Sequence, residues 1–486
     1  MRPWACPVVG ILALACSTLR GPGADDHAGD RSPADSAAVA DTAGADSLAA
    51  ASGPGGRSVP IRTDVLDNGL RVVVHRNPVV PLVTIEIDVK NGAYTQSPEF
   101  EGLAHLYEHM FFKANRTFPN QEAWLERTRE LGLNWNGTTS VERVNYYVTL
   151  HRDRLREGME FMRDAVEFPL FDQAELERER QVVLGEYDRN ESDPDFFLLK
   201  AVDSLLWTPE YFSRKNTIGN REVIATTTRE KMVEIQRRYY LPNNSALILS
   251  GDLDPDEGFR LAREVFGQWE RGPEPFGVHP IPPVPPLTES KAVIVEQPVN
   301  SVTVTLTWQG PSVARNAAAT YAADLFAAIV RLPGSGFQKR IVDSGLAFNA
   351  GLSYSTLAHV GPIRITAQTT ADRVRPLLRA LDREIQAFDD AGYFSDEEME
   401  AAKSRIRVAA VYEREVPSAF AHTLGYWWAV ANLQYYVGYV PNVLAVDRED
   451  LSGFVRTWIQ GRPRVVGVLI TPDGRAEAGL TPAELL

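Results

Sequence analysis

The residues best suited to chemistry lie together in the segment GLAHLYEHM, residues 102–110. On a helix, His105 and His109 are one turn apart and point to the same side, as two imidazole ligands of one metal require. Glu108 is adjacent to His109 and can reach a water on that metal. A hydrolytic zinc has three protein ligands and one open position, so this pattern predicts a zinc site whose third ligand comes from elsewhere in the chain.

The third ligand should be a carboxylate or another histidine. The chain has two cysteines, Cys6 and Cys16, and both lie at the extreme N-terminus. Apolar residues surround the two histidines and predict a helix over residues 101–115 with one buried face. Buried histidines need polar partners. This favours a metal site over two surface histidines that happen to be four residues apart.

Regular elements flank the motif on both sides. Residues 70–75 and 83–89 are predicted strands, the second from its alternation of apolar and polar residues. The helix predicted over 173–190 has a capping pattern, with Asp172 at the N-cap and Glu175 three residues later. The other elements predicted in this half are helices at about 120–131 and 153–167 and a strand at 144–151.

The second half of the chain repeats this plan. Strands are predicted at 292–295 and 302–308, followed by a helix over 317–330. Later, the segment FSDEE at 394–398 opens a long helix, as FDQAE at 171–175 does in the first half. The repetition indicates two copies of one supersecondary plan.

These patterns predict an α+β fold with two tandem homologous domains, each a sheet covered by helices. The first domain, residues 58–270, carries the histidine motif. A proline-rich linker follows at residues 271–290, where an extended spacer is expected. The second domain spans residues 291–486.

The motif and its surroundings resemble a known family. His105-x-x-Glu108-His109 is the inverted zinc motif of the inverzincins. From about Val59 to the C-terminus the chain resembles the pitrilysin-type (insulinase) family, in particular the zinc-motif subunit of its two-chain bacterial members and of mitochondrial processing peptidase. The resemblance implies a zinc-dependent endopeptidase that binds one Zn2+ per chain, with Glu108 as the general base.

The resemblance also supplies the third ligand. Family members place a glutamate on a separate helix some 75 residues after the second histidine, and Glu186 lies 77 positions after His109 in a matching context. Glu179 precedes Glu186 by two helical turns, so both carboxylates face the same side. In the family the earlier glutamate supports the metal site, and it is counted with Glu108 among the catalytic residues.

Two further residues are predicted substrate contacts. The segments NWNGTTS at 134–140 and NYYV at 145–148 resemble the family's edge strand beside the zinc. An exposed strand edge can hold an extended peptide by main-chain hydrogen bonds. Asn136 and Tyr147 are therefore interpreted as substrate-binding, the alternative being that they pack a strand end.

The second domain departs from the family in a way that implies a partner. Family members usually carry an Arg and a Tyr seven residues apart that bind substrate and stabilise the oxyanion. Here Ile341 and Phe348 occupy those positions. The resemblance implies half of a clamshell chamber, completed by a paralogous subunit that supplies the missing pair, or by a second copy in a homodimer with Arg340 or Tyr354 as substitute.

The metal site itself is missing from the second domain. An ungapped alignment of its first helix places Ala323, Phe326 and Ala327 where the first domain has its motif. A non-catalytic zinc-binding assembly or structural subunit of a family complex is the alternative function. Degraded ligands are expected of such a subunit, whereas the first domain has all of them.

The composition and the N-terminal sequence indicate where the protein is located and which partners it disfavours. Hydrophobic residues make up 44% of the 486 residues, and 50 basic against 64 acidic residues give a net charge of −14, which disfavours nucleic-acid binding. Residues 1–16 are interpreted as a signal peptide ending in a lipobox, with Cys16 lipidated, and residues 17–57 as a disordered tether. We expect an outer-membrane lipoprotein facing the periplasm, attached to the membrane only by its lipid, or a cleaved periplasmic protein.

Overall fold

The computed structural model describes residues 47–48 and 61–486. The predicted signal peptide, the lipobox Cys16 and all of the predicted tether except Ser47 and Leu48 lie outside the described residues. Those two residues pair with Arg62 and Ile61 at one edge of the first sheet. Among the described residues, none of the helices combines the length and apolar character needed to cross a bilayer.

The strands fall into two groups, one in each half of the chain. They are β1 (Ser47–Leu48), β2 (Ile61–Val65), β3 (Arg71–Arg76), β4 (Leu82–Val89), β5 (Asn134–Thr139), β6 (Val144–His151), β7 (Ser245–Gly251), β8 (Lys291–Glu296), β9 (Val302–Gln309), β10 (Asn349–Tyr354), β11 (Pro362–Thr369) and β12 (Val465–Ile470).

The helices cover the two sheets and join their strands. They are α1 (Leu103–Phe111), α2 (Gln121–Leu131), α3 (Leu155–Glu167), α4 (Gln173–Glu191), α5 (Pro194–Leu206), α6 (Pro209–Phe212), α7 (Arg221–Thr226), α8 (Arg229–Tyr239), α9 (Pro255–Phe266), α10 (Pro275–Val278), α11 (Val313–Val330), α12 (Gly336–Gln338), α13 (Val374–Ala387), α14 (Asp396–Tyr412), α15 (Pro417–Val430), α16 (Leu433–Ala445), α17 (Arg448–Trp458) and α18 (Pro472–Ala478).

The two sheets have the same strand order. Within the described residues the first sheet has the order β1-β2-β3-β7-β4-β6-β5, and the second, given from the corresponding edge, has the order β8-β12-β9-β11-β10. Without β1 and β2, each sheet has one parallel pair, formed by the strands that come first and last along the chain: β3 with β7, and β8 with β12. The other pairs are antiparallel. The predicted α+β fold with two homologous units, each a sheet covered by helices, is therefore confirmed.

The two halves exchange one helix each. Helix α5 follows α4 in the first half and packs on β8, β9 and β12 of the second sheet. Helix α15 follows α14 in the second half and packs on β4 and β7 of the first sheet. Each sheet thus has one face covered by a helix from the other half, so the halves share a core. Burial of this shared apolar surface holds them together.

Helix α15 lies very close to the first sheet because it carries a glycine at the contact. A Cβ placed on Gly425 would lie 2.0 Å from Oδ2 of Asp88, a buried residue of β4. Gly467 of β12 has the corresponding role for α5, since its Cβ would lie 2.4 Å from a methyl of Val202. Each exchanged helix therefore contacts its sheet at a glycine, where a side chain would clash.

We expect Gly425→Ala to destabilise the protein by about 1–3 kcal/mol, because the added methyl forces α15 away from β4. Thermal unfolding of the purified variant measures this. Gly453→Ala on α17 is the matched control, since no heavy atom lies within 4 Å of its Cβ position, and it should leave the melting temperature unchanged or slightly raised. Equal melting temperatures for the two variants would contradict the packing described for α15.

The predicted elements agree with the structure to within a few residues. The largest difference is the motif helix, predicted over 101–115 and observed as α1 over Leu103–Phe111. It begins late because Gly102 has a left-handed conformation, with φ of 94°, where the backbone cannot continue a helix. The capping pattern is present, since the Asp172 side chain accepts from the Glu175 N–H at 3.0 Å.

Candidate metal centre

The start of α1 is fixed by a buried side chain and a close backbone contact. Gln96 accepts hydrogen bonds from the N–H groups of Gly102 and Ala104 through its Oε1. A Cβ on Gly102 would lie 2.8 Å from Cα of Gly219. The segment at Ile218 is therefore held against the helix N-terminus, and with Thr217 it lines the cleft in front of the motif.

The two faces of α1 have different tasks. Leu103, Leu106, Tyr107, Met110 and Phe111 are buried in the core of the first half. The opposite face carries the two histidines, whose side chains keep 15–16% of their surface exposed. The apolar face thus anchors the helix, and the motif faces a cleft that is open to solvent.

Helix α4 brings a carboxylate to these two histidines. Oε2 of Glu186 lies 3.5 Å from Nε2 of His105 and 3.7 Å from Nε2 of His109. One possible ligand atom from each of the three residues lies within 4.8 Å of the others. Two imidazoles and one carboxylate are a donor set that zinc accepts, and the spacing fits a single ion.

Glu179, also on α4, holds His109 from the other side. Its Oε2 lies 3.2 Å from Nδ1 of His109, and its Oε1 lies 2.8 Å from Nζ of Lys113. A carboxylate on Nδ1 fixes the ring orientation and leaves Nε2 to face Glu186. The structure thus places Glu179 in contact with His109, a candidate ligand.

The two imidazoles have pKa shifts in opposite directions. Burial and the neighbouring His109 lower the pKa of His105 to about 4. Burial also acts to lower the pKa of His109, but hydrogen bonds to Glu179 and Glu186 outweigh it and raise this pKa to about 9. Because a metal ligand must be a neutral imidazole, a metal bound here would displace a proton from His109, and its binding would be favoured as the pH rises.

Glu108 faces the same cleft from α1 and is held by the edge strand. Oγ1 of Thr139 donates a 2.8 Å hydrogen bond to Oε2 of Glu108. Burial raises the pKa of Glu108, and the bond from Thr139 opposes that rise. A Cβ on Gly137 would lie 3.0 Å from Cγ of Glu108, so β5 approaches the motif closely because this position has no side chain.

Asn136 and Tyr147 lie on the paired strands β5 and β6, outside the lining of the cleft, and the Tyr147 ring packs against His422 of α15. Asn136 of β5 is directly opposite Tyr147 of β6. Burial raises the pKa of Tyr147, whereas the Asn136 side chain acts to lower it. Among the described residues β5 pairs only with β6, so its outer edge is open. The edge-strand position predicted for Asn136 is therefore what the structure has.

The second half has no comparable cluster among the residues that the structure describes. Ala323, Phe326 and Ala327 of α11 are all buried in its apolar core. Ile341 is likewise buried, whereas the Phe348 side chain is 58% exposed. The positions aligned with the motif thus serve packing alone.

The two residues considered as substitutes are engaged elsewhere. Arg340 donates two hydrogen bonds to the Glu384 carboxylate, at 2.6 and 2.8 Å, and Tyr393 donates to the same group. Tyr354 is buried, and its hydroxyl donates to the carbonyl of Pro311 at 2.9 Å. Both side chains are therefore committed to the internal structure of the second half.

Three residues of the site were not predicted from the sequence. Lys113 lies two residues past the end of α1 but inside the helix predicted over 101–115. Its spacing of four residues from His109 would place both side chains on one face of that predicted helix. Thr139 lies inside the predicted edge segment, but its bond to Glu108 joins elements 31 residues apart. Gln96 could not be predicted, because its role depends on a turn that regular periodicity does not describe.

Glu179→Gln should weaken zinc binding by about 10- to 100-fold, since a neutral amide orients and polarises His109 less strongly. Competition with a chelator measures the affinity. Glu177→Gln, on the exposed side of the same helix, is the control and should bind zinc like the wild type. If both variants have wild-type affinity, Glu179 does not support the metal site.

Comparison with known proteins defines the family. Residues 71–215 match the model described as Insulinase (Peptidase family M16), and residues 226–406 match the model described as Peptidase M16 inactive domain. The chain therefore belongs to the insulinase (M16) peptidase family, as the motif predicted.

A curated relative agrees with this assignment, and solved structures share the fold. An uncharacterized zinc protease of Rickettsia felis (strain ATCC VR-1525 / URRWXCal2) is 25% identical over 347 residues, 70% of this chain and 81% of the relative. A protease from Helicobacter pylori has a TM-score of 0.75 at 19% identity, over 84% of this chain and 99% of that chain. The periplasmic protease PqqL from Escherichia coli has a TM-score of 0.71 at 19% identity, over 87% of this chain and 49% of that chain.

Proposed function

We propose that this chain is a zinc-dependent endopeptidase that cleaves peptides or unfolded protein segments. The observation that carries the proposal is the convergence of His105, His109 and Glu186 in front of Glu108, at the open edge of β5. Ligands, a candidate base and a place for an extended peptide therefore meet in one cleft. The family and the zinc proteases among its relatives support this reading.

One zinc per chain would be held by His105, His109 and Glu186. Zinc bound there supplies the Lewis acidity that peptide hydrolysis at neutral pH requires. Glu179 keeps His109 in the orientation that presents Nε2 to the site. Lys113 in turn holds Glu179 through a 2.8 Å ion pair, so the ligand set is fixed before substrate arrives.

Glu108 is the general base in this proposal. It accepts the proton of the attacking water and transfers it to the leaving amine, which a carboxyl with a raised pKa does more readily than an ordinary one. Thr139 keeps the carboxylate directed into the cleft. The substrate lies along the open edge of β5, where main-chain hydrogen bonds hold an extended peptide with little demand on its sequence. Asn136 and Tyr147 contact that peptide.

Hydrolysis of a quenched fluorescent peptide library tests this function. The purified chain, alone and with its partner candidates, should cleave the library. Activity should vanish with a chelator and return when zinc is added. A chain that retains stoichiometric zinc but hydrolyses nothing under any of these conditions would support the alternative, a zinc-binding assembly subunit.

The chain is also proposed to be one half of a closed chamber. Its fold corresponds to about half the length of PqqL, and in this proposal a second chain supplies the remaining half. The commitment of Arg340 and Tyr354 to internal contacts favours a paralogous subunit that contributes an Arg and a Tyr over a homodimer. Peptidase activity of the lone chain, compared with that of the chain mixed with its paralogue, decides between them. Full activity of a homodimer would refute the divided site.

The proposed location is the bacterial cell envelope, as a periplasm-facing outer-membrane lipoprotein. The lipobox pattern supports this, and so does the periplasmic location stated for PqqL. Cys16→Ser should move the protein from the membrane to the soluble fraction or block its processing, because the acyl chains on this cysteine provide the attachment. Fractionation with an immunoblot measures this. Unchanged membrane association would instead favour attachment by another route.

A further inference from the structure

A polar cluster lies in the middle of the first sheet, on the face away from α1. Glu86 and Asp88 of β4 have no exposed surface and face α15 from the second half. Their neighbours Ile85 and Ile87 point to the opposite face, into the apolar core beneath α1. Burying two carboxyl groups side by side is costly unless their partners are well defined, and here most of the partners are identifiable.

Glu86 connects the second half to the edge strand through a continuous chain of hydrogen bonds. Nδ1 of His422, on α15, bonds Oε2 of Glu86. Nδ2 of Asn145, on β6, donates to Oε1 of Glu86 at 2.5 Å. Oγ1 of Thr138, on β5, donates to Oδ1 of the same Asn145. This series of hydrogen bonds therefore runs from α15 through β4 and β6 to β5.

Thr138 and Thr139 hold β5 from its two faces. Thr139 bonds Glu108 on the face toward α1, whereas Thr138 bonds Asn145 on the face toward α15. Because β5 has a single strand partner among the described residues, its ladder fixes it less firmly than an inner strand. The hydrogen bonds of Thr138 and Thr139 add restraints on β5 that pairing with a single strand does not provide.

His422 is itself held firmly in place. Nη1 of Arg143, in the turn between β5 and β6, donates to the His422 carbonyl at 2.9 Å and to Asp88 at 3.3 Å. The His422 ring lies 4.3 Å from the Tyr147 ring, between centroids. Burial and the adjacent Glu86 raise the pKa of Asp88. One turn of α15 thus contacts β4, β6 and the turn between β5 and β6.

We infer that His422, a residue of the second half, positions the edge strand β5 for substrate through Glu86, Asn145 and Thr138. The inference rests on the proposed peptidase function for its kinetic consequence. It makes the second half part of the substrate-binding structure, in addition to its place in the shared core. His422 is a positioning residue, since it acts on β5 only through other side chains.

Hydrogen exchange of the full-length chain tests this directly. His422→Leu removes the donor to Glu86, so exchange of the amides at 134–139 should rise about tenfold, as expected for the loss of one hydrogen bond to a charged group. His422→Asn keeps an N–H near the position of Nδ1 and should restore most of the protection. Thr138→Val removes the hydrogen bond from Thr138 to Asn145, the last of the series. Because Thr138 is exposed, the variant should fold, and exchange at 134–139 should rise as in His422→Leu.

Arg364→Gln is the matched control, because it weakens a contact between the two halves without touching the hydrogen bonds that lead to β5. Arg364 of β11 donates to Asp203 of α5 at 2.5 Å, which is an ion pair between halves at the other sheet. This variant should leave exchange at 134–139 unchanged. In His422→Leu the KM for a peptide should rise several-fold with a smaller change in kcat, and the zinc content should stay at the wild-type level.

Two results would overturn the inference: unchanged exchange at 134–139 in both His422→Leu and Thr138→Val, or an equal rise in Arg364→Gln. A wild-type chain that hydrolyses no peptide would refute the proposed function instead. Exchange at β5 would then still decide whether His422 positions this strand.

Discussion

Glu108→Gln should lower peptide hydrolysis by about 10³-fold while zinc stays bound, because the amide cannot accept the proton of the attacking water. The substitution preserves the shape of the side chain, and Thr139 can still donate to the amide oxygen. The fold should therefore be unchanged. Initial rates with a fluorescent peptide and metal analysis of the same preparation measure the two effects together.

The metal content separates two roles for Glu108. If Glu108→Gln loses its zinc, Glu108 is a ligand and the role of base belongs to another group. If the variant keeps both zinc and activity, proton transfer at this site does not depend on Glu108. Glu126→Gln, an exposed glutamate of the neighbouring helix α2, is the control and should retain full activity.

His109→Ala should lose zinc and with it all activity, since the two remaining ligands hold the ion poorly. His109 contacts two glutamates of α4, Glu179 through Nδ1 and Glu186 through Nε2. Its removal therefore deletes a ligand and also separates Glu179 from the metal. Metal analysis after gel filtration measures the loss.

His151→Ala is the matched control for that experiment. His151 ends β6 with an exposed side chain beside Asp153, remote from α1, so this variant should keep one zinc per chain. Stoichiometric zinc in purified His109→Ala would remove His109 from the ligand set. A variant that has lost zinc but keeps a cooperative thermal transition would show that the metal serves the site more than the fold.

Much of the site could be predicted from sequence because its parts are local. Two histidines four residues apart share a helix face whatever the helix packs against, and Glu179 and Glu186 share a face for the same reason. The repeated order of strands and helices likewise follows from periodicities that each segment carries by itself. Glu186 could not be identified as the third ligand from periodicity alone, because only the family pattern relates a glutamate 77 residues away to the two histidines.

The motif helix, its two histidines and the order of elements in each half could be predicted from the sequence, because each depends on periodicities within a single segment. Tertiary structure alone decided what holds the cleft together. Thr139 reaches Glu108 only because Gly137 lets β5 approach α1, and His422 meets Glu86 across 336 residues because α5 and α15 cross between halves. Such contacts depend on how faces are paired in three dimensions, which no local periodicity specifies.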